Sequence, residues 1–255
     1  MHSPNDFLAA IAVRKYLDLA LRDHRQAVLD CGGFHERLWI SAVLLGLMAW
    51  LLAHQKQPGE AYKLPLGFFR MLEGSRLLFQ RHESSLQRLG YYWMGAKAEP
   101  NLLPKDKLSM VSQSQLVKID QELTHLVDSR NTPSMKEEDK IINMEVKAYT
   151  LRCYSAYYSG ASVEFLRPLI GLMPLNCGAK YRQMLERHDP LAMALMARAL
   201  VLLKKLECVW WLNGEGEYEV VERNINGIRS LLPVELHWMA DWPCKVLDRQ
   251  IIGDG

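Results

Sequence analysis

Apolar positions fall at helical intervals along almost the whole chain. Phe7, Leu8, Ile11, Leu17, Leu21 and Val28 share one face of a helix, with Arg14, Lys15, Asp18, Arg22 and Arg25 mostly on the other. Gly32 and Gly33 close this segment as C-terminal glycines do. The run LWISAVLLGLMAWLLA at 38–53 predicts a helix buried on all sides. It falls short of the roughly 20 apolar residues that span a bilayer comfortably, so no membrane span is expected. Further helices are expected at 66–80 and at 109–128, the second through Leu116, Ile119, Leu123 and Val127.

Start and stop signals place the later elements. Ser134 opens a Ser-x-x-Glu capping box with Glu137, and its helix reaches Tyr158 before Gly160. Pro168 and Pro174 break the next stretch into short turns. Asp189 is a ready N-cap and Pro190 suits the first helical position, in a helix that Asn213 and Gly214 end. A helix over 217–232 and a short one before Pro243 complete the chain. No alternating segment with a turn partner predicts a strand. The expectation is an all-α fold: a single domain over 1–255, with nine to eleven helices enclosing a hydrophobic pocket. The irregular stretch near 95–106 is the best internal boundary.

Charge narrows the function only by exclusion. Thirty-one basic against 29 acidic side chains give a net charge of +2, without the basic footprint of a nucleic-acid binder. Direct nucleic-acid binding by this chain is therefore not expected. Five scattered cysteines without a CxxC pair write neither a zinc ribbon nor a redox motif, and suit a reducing compartment. The N-terminus lacks the pattern of a signal peptide, so an intracellular location is expected.

The familiar catalytic motifs are missing. GEGEYE fails as a dinucleotide fingerprint because Glu219 stands where the third glycine belongs. No Walker sequence and no G-x-S-x-G elbow is present. Glu137, Glu138 and Asp139 cluster like magnesium ligands, yet the first turn of a helix attracts carboxylates by itself. The series Asn226, Ser230, Val234 lacks the closing glutamate of a diphosphate-binding motif. The histidines stand alone. Neither a metal nor a cofactor is expected.

What remains is apolar chemistry. Met193, Met196, Leu200, Leu203, Trp210 and Trp211 crowd one predicted helix, and Trp238 and Trp242 lie near the end. Methionine fills irregular space and tryptophan offers wide faces with one donor, which suits either a packed core or a pocket for a rigid hydrocarbon. Of these, Met193, Met196, Leu200, Leu203, Trp210, Trp211 and Trp238 are the candidate ligand-binding residues. Tyr154, Tyr157, Tyr158, His188 and His237 are the groups that could polarise a substrate.

Residues 188–243 carry a resemblance. His188, Asp189 and Pro190 start an alanine-rich helix, followed by Trp210, Trp211, Leu212 and Gly214, an acidic helix, and closing Trp242 and Pro243. This order resembles the end of the C-terminal effector domain of fungal zinc-cluster transcription factors, the sterol-sensing subgroup above all. YLDLALRDHRQAVLD at 16–30 resembles that family's earlier helices more loosely. The resemblance implies an all-α domain that binds a sterol or terpenoid in an internal pocket, with DNA binding carried by a separate zinc cluster. The six-cysteine cluster is not in this sequence. Two expectations follow: a regulatory, ligand-binding module placed in the nucleus, or a repurposed cytoplasmic enzyme that folds a polyene or terpenoid without a metal. A homodimer is left open.

Overall fold

The computed structural model describes residues 4–30, 36–54, 61–90, 108–128, 136–206 and 220–248. Among these residues the fold is all-α, with twelve α-helices and no strand. They are α1 (Pro4–Asp30), α2 (Glu36–His54), α3 (Leu66–Arg81), α4 (Glu83–Arg88), α5 (Met110–Asp128) and α6 (Glu137–Tyr158). There follow α7 (Val163–Gly171), α8 (Met173–Asn176), α9 (Gly178–Glu186), α10 (Pro190–Lys204), α11 (Val220–Leu231) and α12 (Trp238–Asp248). The short helices α4 and α8 carry too few residues to show a period, which is why the count exceeds the expected one. The chain gathers into two compact units, residues 1–57 with 65–93 and residues 58–64 with 94–255.

In the first unit, α2 lies against both α1 and α3. Leu17 and Leu21 of α1 pack with Leu45, Leu52 and Met71, and Trp50 sits 4.7 and 6.3 Å from the rings of Phe68 and Phe69. At Gly46 the two helices approach so closely that a Cβ would stand 3.2 Å from Leu72 Cδ2. One expectation is corrected here. α2 is not buried on all sides: Leu44, Met48 and Leu51 form an exposed stripe, Leu44 at 55%. Two neighbours cover two faces, and an unbroken apolar run carries no period to reveal which face stays open. By length and composition alone, residues Glu36–Ala53 could cross a membrane, a test that core helices also pass.

The second unit is built around α10. Every residue from Leu191 to Leu203 is buried, because α5 to α9, α11 and α12 all pack against this helix or against its neighbours. Its start follows the expected chemistry: Asp189 caps the helix by accepting from Ala192 N at 3.0 Å, and Pro190 occupies the first turn. Arg187 ties this cap to the start of α6 through Asp139 at 2.7 Å, with Asp189 at 3.9 Å. His188 between them adopts a left-handed backbone, φ 57°.

Other boundaries differ from expectation. α6 starts at Glu137 with Lys136 in the cap position and no side-chain cap bond, and Ser134 lies outside the described residues. Pro168 sits within α7 and Pro174 in the first turn of α8, so both prolines belong to helices rather than to turns. Burial of Leu166 and Ile170, one turn apart, holds α7 helical, while a first-turn proline forfeits no hydrogen bond. Pro243 likewise lies inside α12 instead of following it.

Residues 61–64 are fastened within the second unit by Tyr62, whose hydroxyl donates to Asn224 Oδ1 at 2.8 Å. Its ring lies on bare backbone at Gly227, where a Cβ would stand only 2.3 Å from ring carbons. Burial raises the Tyr62 phenol pKa well above its ordinary value. Gly227→Ala should therefore destabilise the fold by about 1–3 kcal/mol, as overpacking does. In a Tyr62→Ala background the same change should cost nothing or gain the few tenths of a kcal/mol that alanine offers a helix over glycine. Urea denaturation of the four proteins measures this, and an equal cost in both backgrounds would place the strain elsewhere.

Candidate functional site

The apolar run of α10 contains one charge, Arg198, and it is 3% exposed. A guanidinium in such a place must find acceptors. Its Nη1 donates to Ala194 O at 3.2 Å within α10, and to Met239 O at 2.7 Å on α12. The second bond has a cause in the sequence. Met239 lies four residues before Pro243, and proline has no N–H to offer that carbonyl. Arg198 supplies the missing donor.

Aromatic groups surround the guanidinium. It stands 5.9 Å from the ring of Trp242, within cation–π range, and Tyr154 meets that indole edge-on at 6.4 Å. Glu122 of α5 approaches Nη2 to 3.9 Å, its carboxylate partly exposed. One turn along each helix, His125 of α5 faces Trp238 of α12 at 5.8 Å. Burial pulls the Arg198 pKa down to about 10, against the upward pull of Glu122 and Tyr154, so the group stays cationic at neutral pH. Among the described residues two donors at this seam of α5, α10 and α12 are without a hydrogen-bond partner: Arg198 Nε and Trp238 Nε1, both buried.

The residues expected from sequence separate into three groups. Met193, Met196, Leu200 and Leu203 lie on α10 at 0, 3, 7 and 1% exposure. Surfaces so closed to a water-sized probe are in contact with protein, and these four side chains pack the core. Tyr154 and Trp238 do belong to the Arg198 seam. Trp210 and Trp211 lie outside the described residues, α10 having ended at Lys204.

The proposed polarising groups are largely committed. Tyr154 donates to Arg198 O at 2.8 Å, and burial raises its pKa well above the ordinary value. His237 Nε2 is 3.1 Å from Leu232 O, a backbone carbonyl. Tyr157 packs edge-on against Tyr158 and lies under Lys205 Nζ at 5.3 Å. His188 serves the loop before α10.

Sequence reasoning passed over Arg198 and Glu122. The signal was present: a single arginine inside a helix otherwise apolar all round, followed by a proline preceded by tryptophans. It also passed over Ser41 and His24, whose Oγ and Nδ1 lie 2.9 Å apart between α2 and α1. Ser41 Oγ is also 3.0 Å from Leu38 O, an acceptor for its proton, so the pair fastens two helices. Among the described residues no group of three or more His, Cys, Asp or Glu is placed to hold a metal ion. Burial pushes the Cys177 thiol up to about 12 and Cys153 higher, which keeps both unreactive.

No family model matches the chain, and no curated protein or solved structure matches it either.

Removing Arg198 should expose its partnership with the proline. Arg198→Met leaves Met239 O buried without a donor, at a cost of about 1–3 kcal/mol. Pro243→Ala provides an N–H for that carbonyl, so the arginine substitution should cost about 1 kcal/mol less in its presence. A double-mutant cycle by chemical denaturation gives the coupling, and simple additivity would refute the shared carbonyl.

Proposed function

We propose that this chain is a regulatory helical module that takes up an apolar small molecule bearing one hydrogen-bond acceptor, of sterol or terpenoid character. One observation carries the reading: among the described residues Arg198 Nε and Trp238 Nε1 are buried donors without partners, the Arg198 guanidinium standing over the Trp242 ring and Trp238 lying one turn before Trp242 on α12. A buried donor left unmade costs about 1–3 kcal/mol. A hydroxyl or carbonyl on a guest would recover that cost, while the rest of the guest lies along the aromatic rings. The resemblance of residues 188–243 to sterol-sensing effector domains supports the same ligand class.

Such a guest enters only if α5 and α12 part, because Arg198 is 3% exposed. The ligand would bind the parted arrangement and not the closed one, and by that difference shift the population between them. This makes the site a switch rather than a store. Of the five groups that could polarise a substrate, Tyr154, Tyr157, Tyr158, His188 and His237, the first and the last face backbone carbonyls at hydrogen-bond distance. The module is accordingly read as a receptor.

Titration of the purified chain with dehydroergosterol, a fluorescent sterol, tests the proposal through energy transfer from tryptophan. Farnesol serves as a terpenoid competitor. Saturable binding is expected, weakened about fivefold to tenfold in Trp238→Phe, the equivalent of one hydrogen bond of about 1 kcal/mol. Absence of saturation with either molecule, or equal affinity in Trp238→Phe, would remove the seam as the binding place.

A further inference from the structure

We propose that the groove between the end of α5 and the first half of α6 is a docking surface for a cationic amphipathic helix of a partner protein. The groove encloses about 680 Å³ and has an apolar floor, formed by Val127, Ile141, Met144 and Ala148. Ile141 and Met144 are 54 and 49% exposed, although Asn143 and Val146, within two residues of Met144, are fully buried on the opposite side of α6. Large apolar side chains grouped on one open face, rather than scattered, mark an interaction surface.

The rim selects the partner's charge. Among the described residues Asp128, Glu137 and Glu145 border the floor against one ammonium, Lys140. That ammonium is held by Glu137 at 3.1 Å. Asp128 and Glu145 form no ion pair among the described residues. Asp128 also ends α5, where the helix dipole already places negative potential and a cation would be favoured. A carboxylate in that position costs the isolated domain stability, and a basic group arriving from outside relieves it.

The floor's geometry selects a helix. Residues 137, 141, 144 and 148 follow one face of α6 at intervals of three and four, a strip about 16 Å long at 1.5 Å per residue. Three turns of a partner helix fit that length, presenting apolar groups at i, i+3, i+4 and i+7 to the floor and lysine or arginine to the rim. This inference uses neither the Arg198 seam nor its ligand.

The test is fluorescence anisotropy with a labelled 18-residue peptide of leucine, lysine and alanine, its leucines on one helical face. A peptide of the same composition with leucines spread around the helix, and one with glutamate for lysine, are controls. Saturable binding of the first peptide alone to the full chain is expected. Asp128→Lys with Glu145→Lys should weaken it more than tenfold, as should Ile141→Ser with Met144→Ser. Val111→Ser with Val117→Ser, exposed positions on α5 outside the groove, should leave it unchanged. Circular dichroism and thermal melts confirm that these surface variants stay folded. Equal binding of the spread-leucine peptide, indifference to the groove substitutions, or binding of dodecyltrimethylammonium in place of the peptide would each overturn the proposal.

Discussion

A proline inside α12 leaves one carbonyl without its helical donor, and a buried arginine from another helix makes up the loss. Much of the second unit depends on that exchange. Arg198 cannot sit in the apolar centre without acceptors, and Met239 O cannot stay buried without a donor. Each defect resolves the other, and the resolution fixes how α12 lies on α10. Glu122, Tyr154 and Trp242 then take their places around the charge.

The same logic governs the rest of α10. A helix buried on every face gives its neighbours no polar side to avoid, so specific polar contacts must set their positions. Two phenols do this at separate points along the helix: Tyr181 donates to Ala192 O and Tyr154 to Arg198 O. At its end, Lys204 pairs with Glu222 of α11. These bonds add modest stability each, about 1 kcal/mol, but they tell one arrangement of greasy helices from another. Arg198 Nε and Trp238 Nε1 are not served in this way, nor are Arg167 Nε and Glu222 Oε2, and the proposed receptor function rests on the first two.

How much of this could be read in advance depends on whether the information was local. The all-α class and the Asp189–Pro190 start were legible, because period and cap chemistry act within a few residues. The exposed stripe of α2 was not, since Leu44 looks the same whether a neighbour covers it or not. Pro243 was read as a stop because its compensating donor comes from a residue 45 positions earlier. Met193, Met196, Leu200 and Leu203 were legible as apolar, but sequence does not distinguish a side chain that packs a core from one that lines a hole. Only the closure around α10 decides that for these four.

Tyr62 has a further consequence for how the chain can be divided. The polypeptide leaves the first unit after residue 57, belongs to the second for seven residues, and returns before α3. The border between the units is thus crossed three times, at 57/58, 64/65 and 93/94. A fragment beginning after residue 93 would hold every helix of the second unit yet lack the ring that covers Gly227 and the hydroxyl that serves Asn224. Neither half of this protein is a contiguous stretch of its sequence, and scissors applied at the most obvious place would cut away part of what they were meant to isolate.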